Sequence, residues 1–431
     1  MRDRARPRGP VLAGRSRSGV AGVLPRLAVA LAALGGVRAL AIQTGPPPSP
    51  QSWTEVPDRL LVVEADGATS KCGWFVTLDD RLVALRSVSG TPVPERRDHS
   101  FAAVRAVIER QPNHQPLAMP GLLATADGQR LPGEPRISAG RLLWRNRWTG
   151  EVAVPLEDLA SVRLGSEGVM SEAGDGDLVE LVNGDRLEGL VASIGVDVII
   201  EDSAPSPGAI EREAVKIPLE RVRSIRLLSP RVDPKGPRAW FTDGTVAAGR
   251  IVADEASGGM RFIPALPASS RFEEADRESI RVRPEDLRAY LPEAGEVVAL
   301  ASLPASEMRS TGSWPSYAPP DFSASKTPGP ADAADLVIHG AGAVEWSLPP
   351  GAWTLVAEAF PHAPNAAWTS FDLVVRNGSE EVFRQAFSAE SPAIELRVPV
   401  ASPSISIEVT EGDRGPIADA IRLRRALLLR R

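Results

Sequence analysis

The chain has 431 residues, 43% hydrophobic and 24% charged, with 40 prolines and 37 glycines. That length calls for about two to four packed units, and a composition inside the globular range excludes a chain disordered throughout. A formal net charge of −6 argues against adsorption to nucleic-acid phosphates or anionic lipid, and a single cysteine, Cys72, excludes an intrachain disulfide.

Residues 1–41 carry eight arginines against Asp3 and then the apolar run Leu27 to Val37. That run is too short for the ~20 residues of a spanning helix, and Ala39-Leu40-Ala41 offers the small residues of a cleavage site, so a signal peptide cut after Ala41 is expected. The expected location is secreted, periplasmic or cell-surface, with no membrane association after cleavage. Loss of eight arginines and one aspartate takes the net charge from −6 to −13. Residues 42–58, beginning IQTGPPPSPQSW, read as a Pro-rich spacer.

Four repeats follow, at 59–111, 117–166, 177–230 and 237–300. Each opens with an apolar strand running into an Asp-Gly or Asn-Gly turn, at Gly67, Gly128, Gly184 and Gly244. Each closes with a shared pattern: SFAAVRAV at 100–107, PLEDLASV at 155–162, PLERVRSI at 218–225 and RPEDLRAY at 283–290. The pattern predicts one helical turn and then a strand, and alternating segments between the ends predict further strands. The order resembles small five-stranded barrels of the Sm-like kind. Whether the repeats close separately or pair with one another is left open.

Residues 301–331, rich in Pro, Ser and Ala without periodicity, are expected to be a linker. From 332 to 431 come strands of regular length separated by turn signals, among them Asn377-Gly378, which predict a β-sandwich. The expected fold class is therefore all-β: tandem small barrels followed by a C-terminal jelly roll. This last region resembles the NPCBM family, a carbohydrate-binding module of galactose-binding-like fold. The features that carry the resemblance are Val337-Ile338-His339, Val344 to Leu348, the strand Ser370 to Val375, and Gly412 to Asp419 with the strand after it. The resemblance implies a polysaccharide or glycan ligand.

Sugar recognition needs aromatic faces for pyranose C–H faces and polar groups for hydroxyls. Trp368, His339, Trp353, Asn365 and Asp372 are the candidates, with His362 nearby; Trp346 and Phe371 are expected in the core, and Asp419 in a local backbone role. Trp144 and Trp148, interleaved with Arg141, Arg145 and Arg147, read as a hairpin with indoles inward. The acidic stretch Glu172 to Asp177 reads as a solvated loop without calcium-loop spacing. No nucleophile elbow, phosphate loop or zinc-binding His pair is present in the sequence. The expected function is a non-catalytic exported glycan binder, needing no cofactor or metal, with the repeats as scaffold. The alternatives are an envelope protein acting through contacts with another protein and, more remotely, an accessory protein to a glycoside hydrolase.

Overall fold

The computed structural model describes residues 58–78, 81–86, 95–110, 121–165, 176–201, 214–230, 232–254, 259–265, 280–312, 330–362, 366–413, 415 and 419–431. The expected signal peptide, nearly all of the spacer and most of the acidic stretch 172–177 lie outside the described residues. Every regular element described is a strand or a single 3-10 turn, so the fold is all-β.

Barrel 1 comprises β1 (Leu60–Glu64), β2 (Thr69–Cys72), β3 (Trp74–Leu78), β4 (Arg81–Arg86), β5 (Glu95–Ser100) and β6 (Val104–Glu109). Barrel 2 comprises β7 (Leu122–Thr125), β8 (Arg130–Pro132), β9 (Glu134–Ser138), β10 (Arg141–Asn146), β11 (Gly150–Val152) and β12 (Leu159–Arg163). Barrel 3 holds β13 (Asp177–Leu181), β14 (Arg186–Ile194), β15 (Asp197–Glu201), β16 (Ala214–Pro218) and β17 (Val222–Arg226). Barrel 4 holds β18 (Arg238–Phe241), β19 (Val246–Asp254), β20 (Gly259–Pro264), β21 (Ile280–Val282) and β22 (Leu287–Leu291). In each, the first strand pairs antiparallel with both the second and the last.

The shared turn has a local cause. Gly67, Gly128, Gly184 and Gly244 sit at φ +84°, +84°, +92° and +87°, where a Cβ is strained. The residue before each accepts, through its side-chain oxygen, the amide two positions on, with Asp66, Asn183 and Asp243 at 2.7, 3.2 and 2.9 Å. A second shared bond ties each turn to the closing pattern: the amides of Ala65, Ala126, Val182 and Thr242 donate to the carbonyls of Ala103, Asp158, Arg221 and Asp286.

The barrels pair through their last strands. β6 runs antiparallel to β22, with Val107 opposite Tyr290, and β12 runs antiparallel to β17, with Val162 opposite Ile225. Barrel 2 also meets barrel 4, where the Trp148 indole donates to Asp243 at 2.9 Å and its ring stacks on Phe241 at 4.1 Å. One apolar core runs through all four barrels, Trp144, Trp148 and Cys72 included, and burial pushes the Cys72 thiol up to about 12.

The C-terminal region is a two-sheet sandwich. Its strands are β23 (Val297–Ala299), β24 (Ala305–Ser310), β25 (Leu336–His339), β26 (Gly342–Ser347), β27 (Trp353–Pro361), β28 (Ser370–Asn377), β29 (Glu380–Ser388), β30 (Ile394–Val400), β31 (Ser404–Val409) and β32 (Ala420–Arg430). One sheet has the order β23-β32-β27-β30 with β25 also on β32, and the other β24-β26-β31-β28-β29. The linker reading of 301–331 is therefore corrected in part. β23 pairs with β32 and β24 with β26, so residues 297–310 belong to the sandwich. β24 is an edge strand, exposed along most of its length, and so carries no alternating apolar signal.

The sandwich packs directly against barrels 1 and 4. Val356, Leu427 and Leu429 on its first sheet share a buried cluster with Val63, Ala106 and Ile108 of barrel 1 and Trp240, Ala289 and Leu291 of barrel 4. Arg397 pairs with Asp66 at 2.6 Å, and Arg105 donates to the Arg430 carbonyl at 2.9 Å. The strand registers show why the sandwich sits there. The positions matching Val63, Ala106 and Ile108 are Ala124, Ser161 and Arg163 in barrel 2, and Glu180, Ser224 and Arg226 in barrel 3. The paired strands of barrels 2 and 3 thus present a polar outer face, while those of 1 and 4 present an apolar one that burial stabilises.

Candidate functional site

Alternation along the first sandwich sheet sorts its side chains. Leu336, Ile338, Leu355, Ala357, Ala359, Ile421 and Leu423 point into the core. The opposite parity, Val337 and His339 on β25, Glu358 and Phe360 on β27, and Arg422 and Arg424 on β32, forms the outer face. Near Val356 and Leu427 that face is apolar and lies against the barrels. Toward the other end of the strands it becomes polar.

His339 ends β25 and His362 follows β27, and both lie beside the first residue of β32. His339 is opposite Ala420 in the ladder, and the His362 amide donates to the Ala420 carbonyl at 2.8 Å. β32 therefore lies between them, and the two rings meet edge to face with centroids 6.4 Å apart. Both are half-buried. Burial first, then Arg422 and His339, hold the His362 imidazole below its ordinary value, against the opposing pull of Asp335. Asp335 lies 3.9 Å from Arg422, and its carboxyl is raised, mainly by burial. Glu358 takes both Arg424 and Arg425 at 3.1 Å, and the Arg424 guanidinium stacks over Phe360 at 4.8 Å.

The other candidates fall elsewhere. Trp353 is corrected: it is 2% exposed, points into the core, and its indole donates to the Pro349 carbonyl at 2.9 Å. Trp346 and Phe371 are also buried. Asp372, on the outer face of β28, accepts from Arg384 at 2.8 Å. Asn365 lies outside the described residues. Trp368 ends the 3-10 turn Ala366–Trp368 in the connection from β27 to β28. It is 56% exposed, whereas Trp144, Trp148, Trp240, Trp346 and Trp353 are buried, and its turn packs against β29. His362 and Trp368 thus stand at the two ends of one connection, whereas Asp372 belongs to the second sheet.

Asp419 anchors this end of the sandwich. It is 2% exposed, its backbone carbonyl accepts the Gly340 amide at 2.6 Å, and its carboxylate accepts the Ser370 amide at 3.1 Å. Burial raises its pKa more than the amides of Ser370 and Gly412 lower it. Asp419→Asn, which keeps an acceptor and removes the buried charge, is expected to unfold within about 1 kcal/mol of the parent, and Asp419→Ala to lose about 1–3 kcal/mol. A carboxyl raised in the folded state favours folding as pH falls through that raised value. The Asn variant should lose this contribution in denaturant titrations across acid pH.

A second feature lies between barrels 2 and 3: a groove of about 850 Å3 whose lining includes Ile137, Leu164, Val182, Val196, Leu219 and Val222. Val182 and Val196 are 56% and 62% exposed. Among the described residues, no cluster of three or more His, Cys, Asp or Glu is placed to hold a metal ion.

No family model matches the chain, and no curated protein matches it. Among solved structures, the chain is similar to the CBM51-2 and INT domains from Clostridium perfringens ZmpB, at 13% identity over 31% of each chain and a TM-score of 0.26. It spans about a third of that structure. A CBM51 from Clostridium perfringens GH95 in complex with methyl-galactose matches at 15% identity over 31% of this chain and 99% of that one, with a TM-score of 0.24. The tandem CBM51 modules of the family 98 glycoside hydrolase from Streptococcus pneumoniae SP3-BS71 match at 9% identity over 86% and 88%, with a TM-score of 0.24.

Proposed function

We propose that the chain is an exported, non-catalytic glycan-binding protein whose C-terminal sandwich takes the ligand where the β27–β28 connection, the end of β25 and the start of β32 meet. The observation that carries this reading is the exposure of Trp368. Five other described tryptophans, at 144, 148, 240, 346 and 353, are 6% exposed or less, so burial does not account for an indole at 56%. An exposed indole face suits a pyranose. His339 and His362 supply hydrogen-bonding groups to hydroxyls, and barrels 1 and 4 hold the sandwich from the apolar end of the same face. The resemblance of residues 332–431 to a carbohydrate-binding family agrees with this.

Trp368→Ala in the intact chain is expected to weaken glycan binding about tenfold while leaving the unfolding midpoint unchanged. Unaltered affinity in calorimetric titration would remove Trp368 from the site. A second reading, an envelope protein acting through protein contacts, draws on the apolar groove between barrels 2 and 3. It takes precedence if the folded chain binds no glycan.

A further inference from the structure

We infer that the groove between barrels 2 and 3 takes an extended strand of a partner polypeptide, added at the open edge of β9, whatever the sandwich binds. β9 pairs with β10 and ends the three-stranded order β11-β10-β9, so among the described residues no strand lies along its other edge. Its counterpart in barrel 1 is closed. Ile137 of β9 and Thr77 of β3 hold matching places, opposite Leu142 and Leu82, each the second residue of the strand that follows. Thr77 meets Val252 of β19 in the ladder, and its hydroxyl donates to the Ile251 carbonyl. The molecule thus seals this edge with a strand where barrels 1 and 4 meet, and leaves it open where barrels 2 and 3 meet.

Proline is tolerated in a strand where its missing N–H faces off the ladder, so Pro135 turns toward the open side. By the two-residue period Ile137 turns the same way and offers its N–H and C=O there. Residues opposite each other in a ladder share a face. Pro135 and Ile137 stand opposite Trp144 and Leu142, and Trp144 lies in the core. The inward side chains of a strand added at this edge therefore enter the groove, whose lining includes Leu164, Val182, Val196 and Leu219.

Ile137, Val182 and Val196 are exposed, and covering them stabilises a complex. The charged residues of the lining are Glu220 and Arg223, one of each sign, so the groove selects apolar shape rather than charge. The occupant is a strand with branched apolar side chains at alternate positions. A helix or a folded apolar surface set there would cover the β9 edge without supplying partners for its N–H and C=O groups.

The test uses the intact chain and fluorescein-labelled peptides of about ten residues that alternate Val or Ile with Thr or Lys, beside peptides of the same composition with the apolar residues in one block. Anisotropy follows binding, and sedimentation gives the state of the chain alone. The expected result is one-to-one binding of an alternating peptide, at least about tenfold tighter than its block counterpart. The paired change Val182→Asp with Val196→Asp, at two exposed positions, is expected to weaken it at least about tenfold without moving the unfolding midpoint. Methylating every second main-chain nitrogen of the peptide, in either of two phases, is expected to abolish binding in one phase alone, because a strand turns alternate N–H groups toward its neighbour. A folded chain that binds no peptide, binding unmoved by the paired change, or equal binding in both methylated phases overturns the inference. So does a chain that sediments as a dimer and becomes a monomer in the paired variant, which would make a second copy the occupant.

Discussion

A fragment of residues 331–431 expressed alone is expected to be aggregated or unfolded, although its sequence reads as a complete sandwich. It lacks β24, which covers the β26 edge of one sheet, and β23, which pairs with the C-terminal half of β32. It also bares Val356, Leu427 and Leu429, which barrels 1 and 4 cover in the whole chain. Two unpaired strand edges beside an exposed apolar patch favour association between copies. Extending the fragment to residue 294 restores both strands and should recover secondary structure, but not the cover over the docking face. Size-exclusion chromatography with circular dichroism distinguishes the outcomes. A monomeric 331–431 fragment that unfolds cooperatively would show that β23 and β24 are accessory.

Glu109→Ala is expected to be the most destabilising single substitution at the joint of barrels 1 and 4. Glu109 is 2% exposed at the end of β6, bonded to Arg59 at 2.9 Å and facing Arg288, itself 6% exposed, at 3.6 Å. Burial lowers the Arg288 pKa while Glu109 opposes the shift, so truncating Glu109 leaves a buried cation without that counter-charge. The expected loss is about 3–5 kcal/mol, a fall in melting temperature of roughly 6–20 °C for a cooperative unit of this size. The double change Glu109→Leu with Arg288→Met should recover much of it, because removing both charges also removes their desolvation cost. A melting temperature unchanged in Glu109→Ala would show the pair to be solvated.

The repeat was legible because its turn spells its own geometry. Four glycines at φ near +85° each follow an Asp or Asn, and both residue types are demanded by the backbone there. A second series, Gly73, Gly133, Gly189 and Gly249, went unread at the same spacing. In three of these a Cβ would meet a carbonyl oxygen at 2.1–2.6 Å, so the series marks where the second strand crosses a neighbour. Barrel pairing could not be read, since Val107, Val162, Ile225 and Tyr290 are core residues in any arrangement. The apolar or polar outer face that selects barrels 1 and 4 emerges only once registers align Val63 with Ala124, Glu180 and Trp240.

At the site, parity would have placed Trp353 correctly. It shares a face with Leu355, Ala357 and Ala359, which the alternation assigns to the core. His362 was noticed only as a neighbour because its pairing with His339 depends on β32 lying between β25 and β27. Trp368, a sequence candidate for the site, follows the segment Pro364-Asn365-Ala366-Ala367, and the structure leaves it exposed. The role of Asp419, to tie Gly340 and Ser370 across three connections, needs the folded ends side by side.

The most direct test of the account is a glycan-array screen of the intact chain, lacking only the expected signal peptide, followed by calorimetric titration of any hit. The account predicts saturable binding to at least one glycan, with Trp368→Ala weakening it about tenfold. A chain shown to be folded by cooperative thermal unfolding, yet silent across a broad panel, would contradict it and turn attention to the groove between barrels 2 and 3.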